Sequence, residues 1–272
     1  MALQAYLNQS CFPGISVAHF LEVAAVAGCD GADLNVLMQP VRPRDFSAAV
    51  QATGMRISAI HALMDWALPD DPEPLATMEP LLEAAIAANA SYIVCVAPLR
   101  LGGFPPDLDI WAAASDRLRE LAARARPARV RHPQEQWGRS SSRRGAVSGI
   151  RRVADALSIA ERAGEDIVLA VDSYNLATAD EPFDVLRAVP AHRLGVAHLA
   201  DLEPAEGGRT LAGRGTLDLP AFVRALTQAG YGGPLSLEIF PATSWQDPLA
   251  FAREAVAAMR RCIAEGNAGE RE

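Results

Sequence analysis

The chain has 272 residues, half of them hydrophobic, with a formal net charge of −8, arginine as its only basic residue besides histidine, and four cysteines. Single α/β barrels commonly run to about 250 residues, so one domain can account for the length. The acidic balance argues against general nucleic-acid binding, and no apolar run approaches the roughly 20 residues of a membrane span.

MALQAYLNQS has neither the basic start nor the long apolar run of a signal peptide. Cys11, Cys29, Cys95 and Cys262 lack CxxC spacing and read as reduced thiols of a cytoplasmic protein.

A strand-like run followed by an amphipathic run recurs along the chain. LQAYLN (3–8) leads to VAHFLEVAAVAG, CDGADLNV (29–36) to DFSAAVQATG, MRISAIHAL (55–63) to PLATMEPLLEAAIAAN, and SYIVCVAPL (91–99) to IWAAASDRLRELAARA. DIVLAVDSY (166–174) leads to EPFDVLRAV, RLGVAHLAD (193–201) to LPAFVRALTQAG, and PLSLEIF (234–240) to PLAFAREAVAAMRRCIAE. This alternation predicts βα units around a parallel sheet. Gly28, Gly54 and Gly230 stand where helices should stop, since glycine accepts the left-handed conformation of a helix C-terminus.

Seven strands are clear. An eighth is expected between about 127 and 140, but seven of the 21 residues from Arg124 to Arg144 are arginine, and Pro133 sits where a ladder N–H should be. The segment reads as a divergent loop, or as a local out-of-frame stretch between about Ala123 and Ser142. A GC-rich gene, which the Arg and Ala usage indicates, translates out of frame into Arg, Pro, Ala, Gly and Ser. The expected fold is therefore a (β/α)8 TIM barrel over residues 1–265, with an atypical fifth-strand region at about 124–144 and a flexible tail at 266–272. A doubly wound sheet is the alternative, but no GxGxxG follows the first strand.

Barrels of this kind carry their active sites at the C-terminal ends of the strands. There the sequence places Asn8 and Gln9, then Asp33 and Asn35, then His61 with Asp65 and Trp66 just after. Asp172, His198 and Glu238 end the last three strands. Phase agrees: Val168, Ala170 and Asp172 share one face of their strand, and Ser236 and Glu238 share one face of theirs. Two carboxylates and an imidazole aimed into one cavity need a compensating charge. A divalent cation (Mn2+, Mg2+, Co2+ or Zn2+) supplies it. No GxSxG elbow, Walker-type loop or HExxH is present.

VLAVDSYNL, GVAHLADLE, LAGRGTLDLPAFVRAL and GYGGPLSLEIF, in that order, resemble the xylose isomerase-like barrel superfamily, most specifically over about residues 166–262. The resemblance implies a metal held by Glu, Asp, His and Glu from the last four strands. Asp172, His198 and Glu238 fall on three of these positions, and the only candidate for the first is Glu135 in RHPQEQWGR. It implies an isomerase or epimerase of a small sugar, sugar phosphate or inosose, with Glu238 or Glu135 moving the proton. His61, Trp66, Asn175, Arg209 and Asn8 would line the substrate, and Asp201 would act as a rim partner. Asn175 stands where the family often has histidine, so a proton step through that position is in doubt. The alternatives are a dehydroshikimate- or inosose-type dehydratase, or an inactive barrel. Family members commonly associate, so a homo-oligomer with a small-molecule substrate is the expected state.

Overall fold

The computed structural model describes residues 3–35, 43–63, 73–101, 103–104, 106–136, 146–205 and 207–268. Eight parallel strands close on themselves: β1 (Gln4–Asn8), β2 (Gly31–Asn35), β3 (Ile57–Leu63), β4 (Tyr92–Val96), β5 (His132–Glu135), β6 (Ile167–Asp172), β7 (Leu194–Leu199) and β8 (Pro234–Leu237). Each strand pairs with its chain neighbours, and β8 returns to β1 in register Gln4↔Pro234. The closed ring is a TIM barrel and excludes a doubly wound sheet.

Around it run α1 (Val17–Ala27), α2 (Pro43–Thr53), α3 (Glu73–Ala88), α4 (Ile110–Ala125), α5 (Val153–Ala163), the short α6 (Ser173–Thr178), α7 (Leu219–Gln228) and α8 (Pro248–Ala268). The last helix runs into the segment expected as a tail, with Gly266 buried against Val223. Gly28, Gly54 and Gly230 all have positive φ, in keeping with their predicted role as helix stops.

Strand alternation sorts the core into two layers. Leu169, Val171, Leu235 and Leu237 join the large outer core against the helices, whereas Ala59, Val94, Ala170 and Val196 form a small inner cluster with Tyr92. That inner layer is tight. A Cβ on Gly195 would stand 2.5 Å from Val168 Cγ2, so a side chain there would wedge the barrel open.

The fifth strand corrects the reading of its segment as a divergent loop. His132–Glu135 pairs in parallel with β4 (Val96↔Glu135) and β6 (Glu135↔Ala170). Its arginine flank is solvent-facing: Arg126 pairs with Asp166 at 2.8 Å, and Arg124 with Glu120 and Glu79.

Pro133 is accommodated by its neighbour. Arg131 exchanges ladder bonds with Ser91 and Ile93, so the missing N–H two residues on would have met the Ile93 carbonyl. His132 Nδ1 lies 3.3 Å from that carbonyl instead. Burial pushes His132 down to about 4, so the ring is neutral, and a proton on Nδ1 replaces the lost donor.

Candidate metal centre

The C-terminal ends of four consecutive strands bring Glu135, Asp172, His198 and Glu238 together. One ligand atom from each lies within 4.8 Å of all the others, and all four side chains are buried. Asp172 and His198 are register partners across β6 and β7. Glu238 follows β8 and continues the ladder, its N–H donating to the Leu199 carbonyl at 3.0 Å.

Burial of three carboxylates demands positive charge. His198 Nδ1 stands 3.3 Å from Glu135 Oε1 and 3.9 Å from Glu238 Oε2. Burial disfavours the imidazolium, but Glu238, Glu135 and Asp172 outweigh it and hold His198 up to about 10. Burial works against the Glu135 carboxylate too, yet His198 and Arg209 keep it below its usual range. Asp172 is pushed upward by burial, with Arg209 opposing. The cluster therefore lacks positive charge. Its donor set, three carboxylates and one imidazole with His198 Nε2 unpaired, fits a divalent cation.

Arg209 supplies part of that charge. It stands on an antiparallel hairpin (Asp201–Leu202 with Arg209–Thr210) after β7. Its Nη1 donates to Asp172 Oδ2 at 2.6 Å and lies 3.1 Å from Glu238 Oε2. The guanidinium sits 4.7 Å over the Tyr174 ring and 5.4 Å from that of Phe240. These carboxylates now engage the side chain expected to face substrate.

Asn175 is likewise engaged by the protein. Its backbone N–H donates to Asp172 Oδ1 at 2.7 Å, so Asp172 caps α6. Its side-chain amide donates to Glu135 Oε1 and the Gln136 carbonyl, each at 3.1 Å, and its oxygen accepts from Arg209 at 3.4 Å. It orients Glu135. Asn8 Nδ2 similarly donates to Glu238 Oε1 at 3.4 Å. Trp66 and Asp65 lie outside the described residues.

Asp201 corrects an expectation. It is buried, but its carboxylate accepts N–H bonds from Leu202, Gly213, Gly215 and Leu217, at 2.9 to 3.0 Å. It organises the 213–217 turn and does not join the metal cluster. A Cβ on Gly215 would collide with it.

Strand-end reading also undervalued Asp33. With His61 and His198 it forms a second group of metal-ligand atoms within 4.8 Å of one another. His61 links the two groups: Nδ1 lies 3.4 Å from Glu238 Oε1, Nε2 lies 3.9 Å from Asp33 Oδ2, and its ring lies 4.7 Å from that of His198. The signal was present in sequence, since Asp33 shares the strand-end position with the residues singled out, but nothing local marks it as a partner of His61.

Residues 21–262 match the family model described as Xylose isomerase-like TIM barrel, and the chain belongs to that family. A 3-dehydroshikimate dehydratase of Pseudomonas aeruginosa is 30% identical over 139 residues, which make up 47% of this chain. The aligned part is about a fifth of that relative, 21% of its length. An L-ribulose 3-epimerase structure superposes with a TM-score of 0.83, at 18% identity, covering 99% of this chain and 97% of that one. The IOLI protein with a binding zinc atom superposes at 0.80 with 19% identity, covering 97% and 98%. At these identities the two structures share the fold. Among the described residues no helix is long and apolar enough to cross a membrane.

Proposed function

We propose that this barrel is a divalent-metal-dependent isomerase or epimerase of a small polyhydroxy carbonyl compound, working by carboxylate-mediated proton transfer. The observation that carries the reading is the pair Glu135 and Glu238. They come from β5 and the end of β8, both approach His198 Nδ1, at 3.3 and 3.9 Å, and both are buried. A C–H held between two carboxylates can lose its proton to one and regain it from the other on the opposite face.

A divalent ion held by Glu135, Asp172, His198 and Glu238 would act as a Lewis acid toward the substrate's carbonyl and adjacent hydroxyl, acidifying the neighbouring C–H. Glu238 is positioned by Asn8, His61 and Arg209, and Glu135 by Asn175 and His198. Each carboxylate is thereby fixed for general base or acid work. Arg209 contacts the substrate's hydroxyl or anionic group, and His61 shapes the pocket. The acidic net charge argues for a small molecule over a nucleic acid as the partner, and the four free cysteines support a cytoplasmic setting.

A dehydratase is the second reading, favoured by the 30% identity to the dehydroshikimate enzyme. It shares the proton abstraction and differs in expelling a hydroxyl from the neighbouring carbon. The test is incubation of metal-loaded protein in D2O with ketoses, inososes and dehydroshikimate. Deuterium beside the carbonyl in an isomeric product supports the first reading. A dehydrated, ultraviolet-absorbing product supports the second. No exchange with any compound sinks both.

A further inference from the structure

Little apolar packing holds β5 in the barrel. Its four residues, HPQE, carry no aliphatic side chain beyond the proline ring, whereas β4 reads YIVCV and β6 reads IVLAVD. Register places Gln134 beside Cys95 and Leu169, and His132 beside Ile167, and these three neighbours belong to the outer core. The strand thus turns polar side chains toward the helices where its neighbours turn apolar ones.

Those side chains are buried, and their polar atoms are incompletely paired. Gln134 Nε2 donates to the Glu135 carbonyl at 2.7 Å, but Gln134 Oε1 and both side-chain polar atoms of Gln136 find no hydrogen-bond partner among the described residues. An unpaired buried polar atom penalises the closed state, because water pairs it in an open one. The ladder is thin as well: Pro133 has no N–H to give, and the His132 N–H reaches the Asp166 carbonyl only at 3.4 Å. Opening this segment loses little apolar burial and releases unpaired polar atoms to water, which is the profile of a locally unfolding unit.

Glu135 is what fastens the strand. Asn175 donates to its carboxylate at 3.1 Å and His198 Nδ1 lies 3.3 Å away. An ion shared with Asp172, His198 and Glu238 would tie β5 to β6, β7 and β8 through that same carboxylate. We propose that β5 is closed by the ion: in metal-free protein it opens locally and takes Glu135 out of the cluster, and ion binding draws it back. This rests on the metal-centre reading above and adds to it a coupling between the ion and the fold.

The test is residue-resolved amide hydrogen exchange on the full-length protein, in chelator and with Mn2+. In chelator, Gln134 and Glu135 should exchange at least about tenfold faster than Val94 and Cys95 of β4 or Leu169 and Ala170 of β6. Mn2+ at about 100 times its measured Kd should slow them by up to about 100-fold, since the open strand lacks the complete ligand set. Gln134→Leu or Gln136→Leu should slow exchange at Glu135 in chelator by about tenfold, and either variant suffices if the other does not fold. Mn2+ bound, with β5 exchanging in chelator as slowly as β4 and β6, overturns the proposal and leaves the metal centre standing. Fast exchange that bound Mn2+ leaves unchanged does the same. Folded apolar variants that exchange as fast as wild type overturn the assignment of the opening to unpaired carboxamides. No bound Mn2+ overturns both readings.

Discussion

Replacing Arg209 by glutamine removes the guanidinium that touches two of the clustered carboxylates. Arg209 Nη1 lies 2.6 Å from Asp172 and 3.1 Å from Glu238, and the three side chains are 9%, 0% and 5% exposed. Taking one partner from a buried ion pair costs about 3–5 kcal/mol, because the remaining charge is stranded. Asp172, already pushed upward by burial, can take a proton in response, which favours the low end. At about 3 kcal/mol, and 2–4 °C per kcal/mol for a domain of this size, the metal-free Tm should fall by roughly 6–12 °C. Saturating Mn2+ should recover most of the loss, because an ion that binds only the folded cluster stabilises it by mass action. Mn2+ should also bind the variant more tightly, since a positive charge beside its ligands is gone. Differential scanning calorimetry in chelator and in Mn2+ measures both effects. A metal-free drop below about 2 °C, or a drop that Mn2+ leaves unchanged, would refute the assignment of Arg209 as the cluster's resident cation.

Glu238→Gln and Glu135→Gln should each slow solvent deuterium exchange into substrate by about 10²–10⁴-fold, the range for a lost general base; rates within threefold of wild type in both would count against the two-carboxylate mechanism. His132, whose pKa falls from an ordinary 6.5 to about 4, should make the fold acid-sensitive. The unfolded chain binds the extra proton, so stability is lost as pH drops from about 6.5 to about 4, by about 3 kcal/mol in total. Urea titrations across that window should show the slope for wild type and a flatter one for His132→Gln. Asp201→Ala should cost about 1–3 kcal/mol by leaving N–H groups of the 213–217 turn without their acceptor. Amide exchange should quicken at Gly213, Gly215 and Leu217, and unchanged protection there would show that another group holds the turn.

Period and punctuation carried much of the architecture. DIVLAVD and PLSLEIF alternate large and small or polar residues over their whole length, so the side facing the helices and the side facing the barrel axis follow from the two-residue repeat of a strand. Because each strand's polar residue stands at its C-terminal end, Asp172, His198 and Glu238 were legible as one constellation before any coordinates. β5 was not legible. It is four residues long, its buried side chains include His132, Gln134 and Glu135, and its arginine flank points to solvent, so neither hydropathy nor alternation marks it. Only closure of the ring between β4 and β6 makes that segment a strand and brings Glu135 beside His198.

The partners across the mouth were decided the same way. Arg209 reaches Asp172 because a hairpin folds back over the barrel, and Asp33 meets His61 through neighbouring strands. Asp201, three residues beyond His198, points instead into its own loop. Spacing along a chain determines which face a side chain shares with its near neighbours. Which distant charge it meets depends on where the backbone closes, and the local sequence does not encode that.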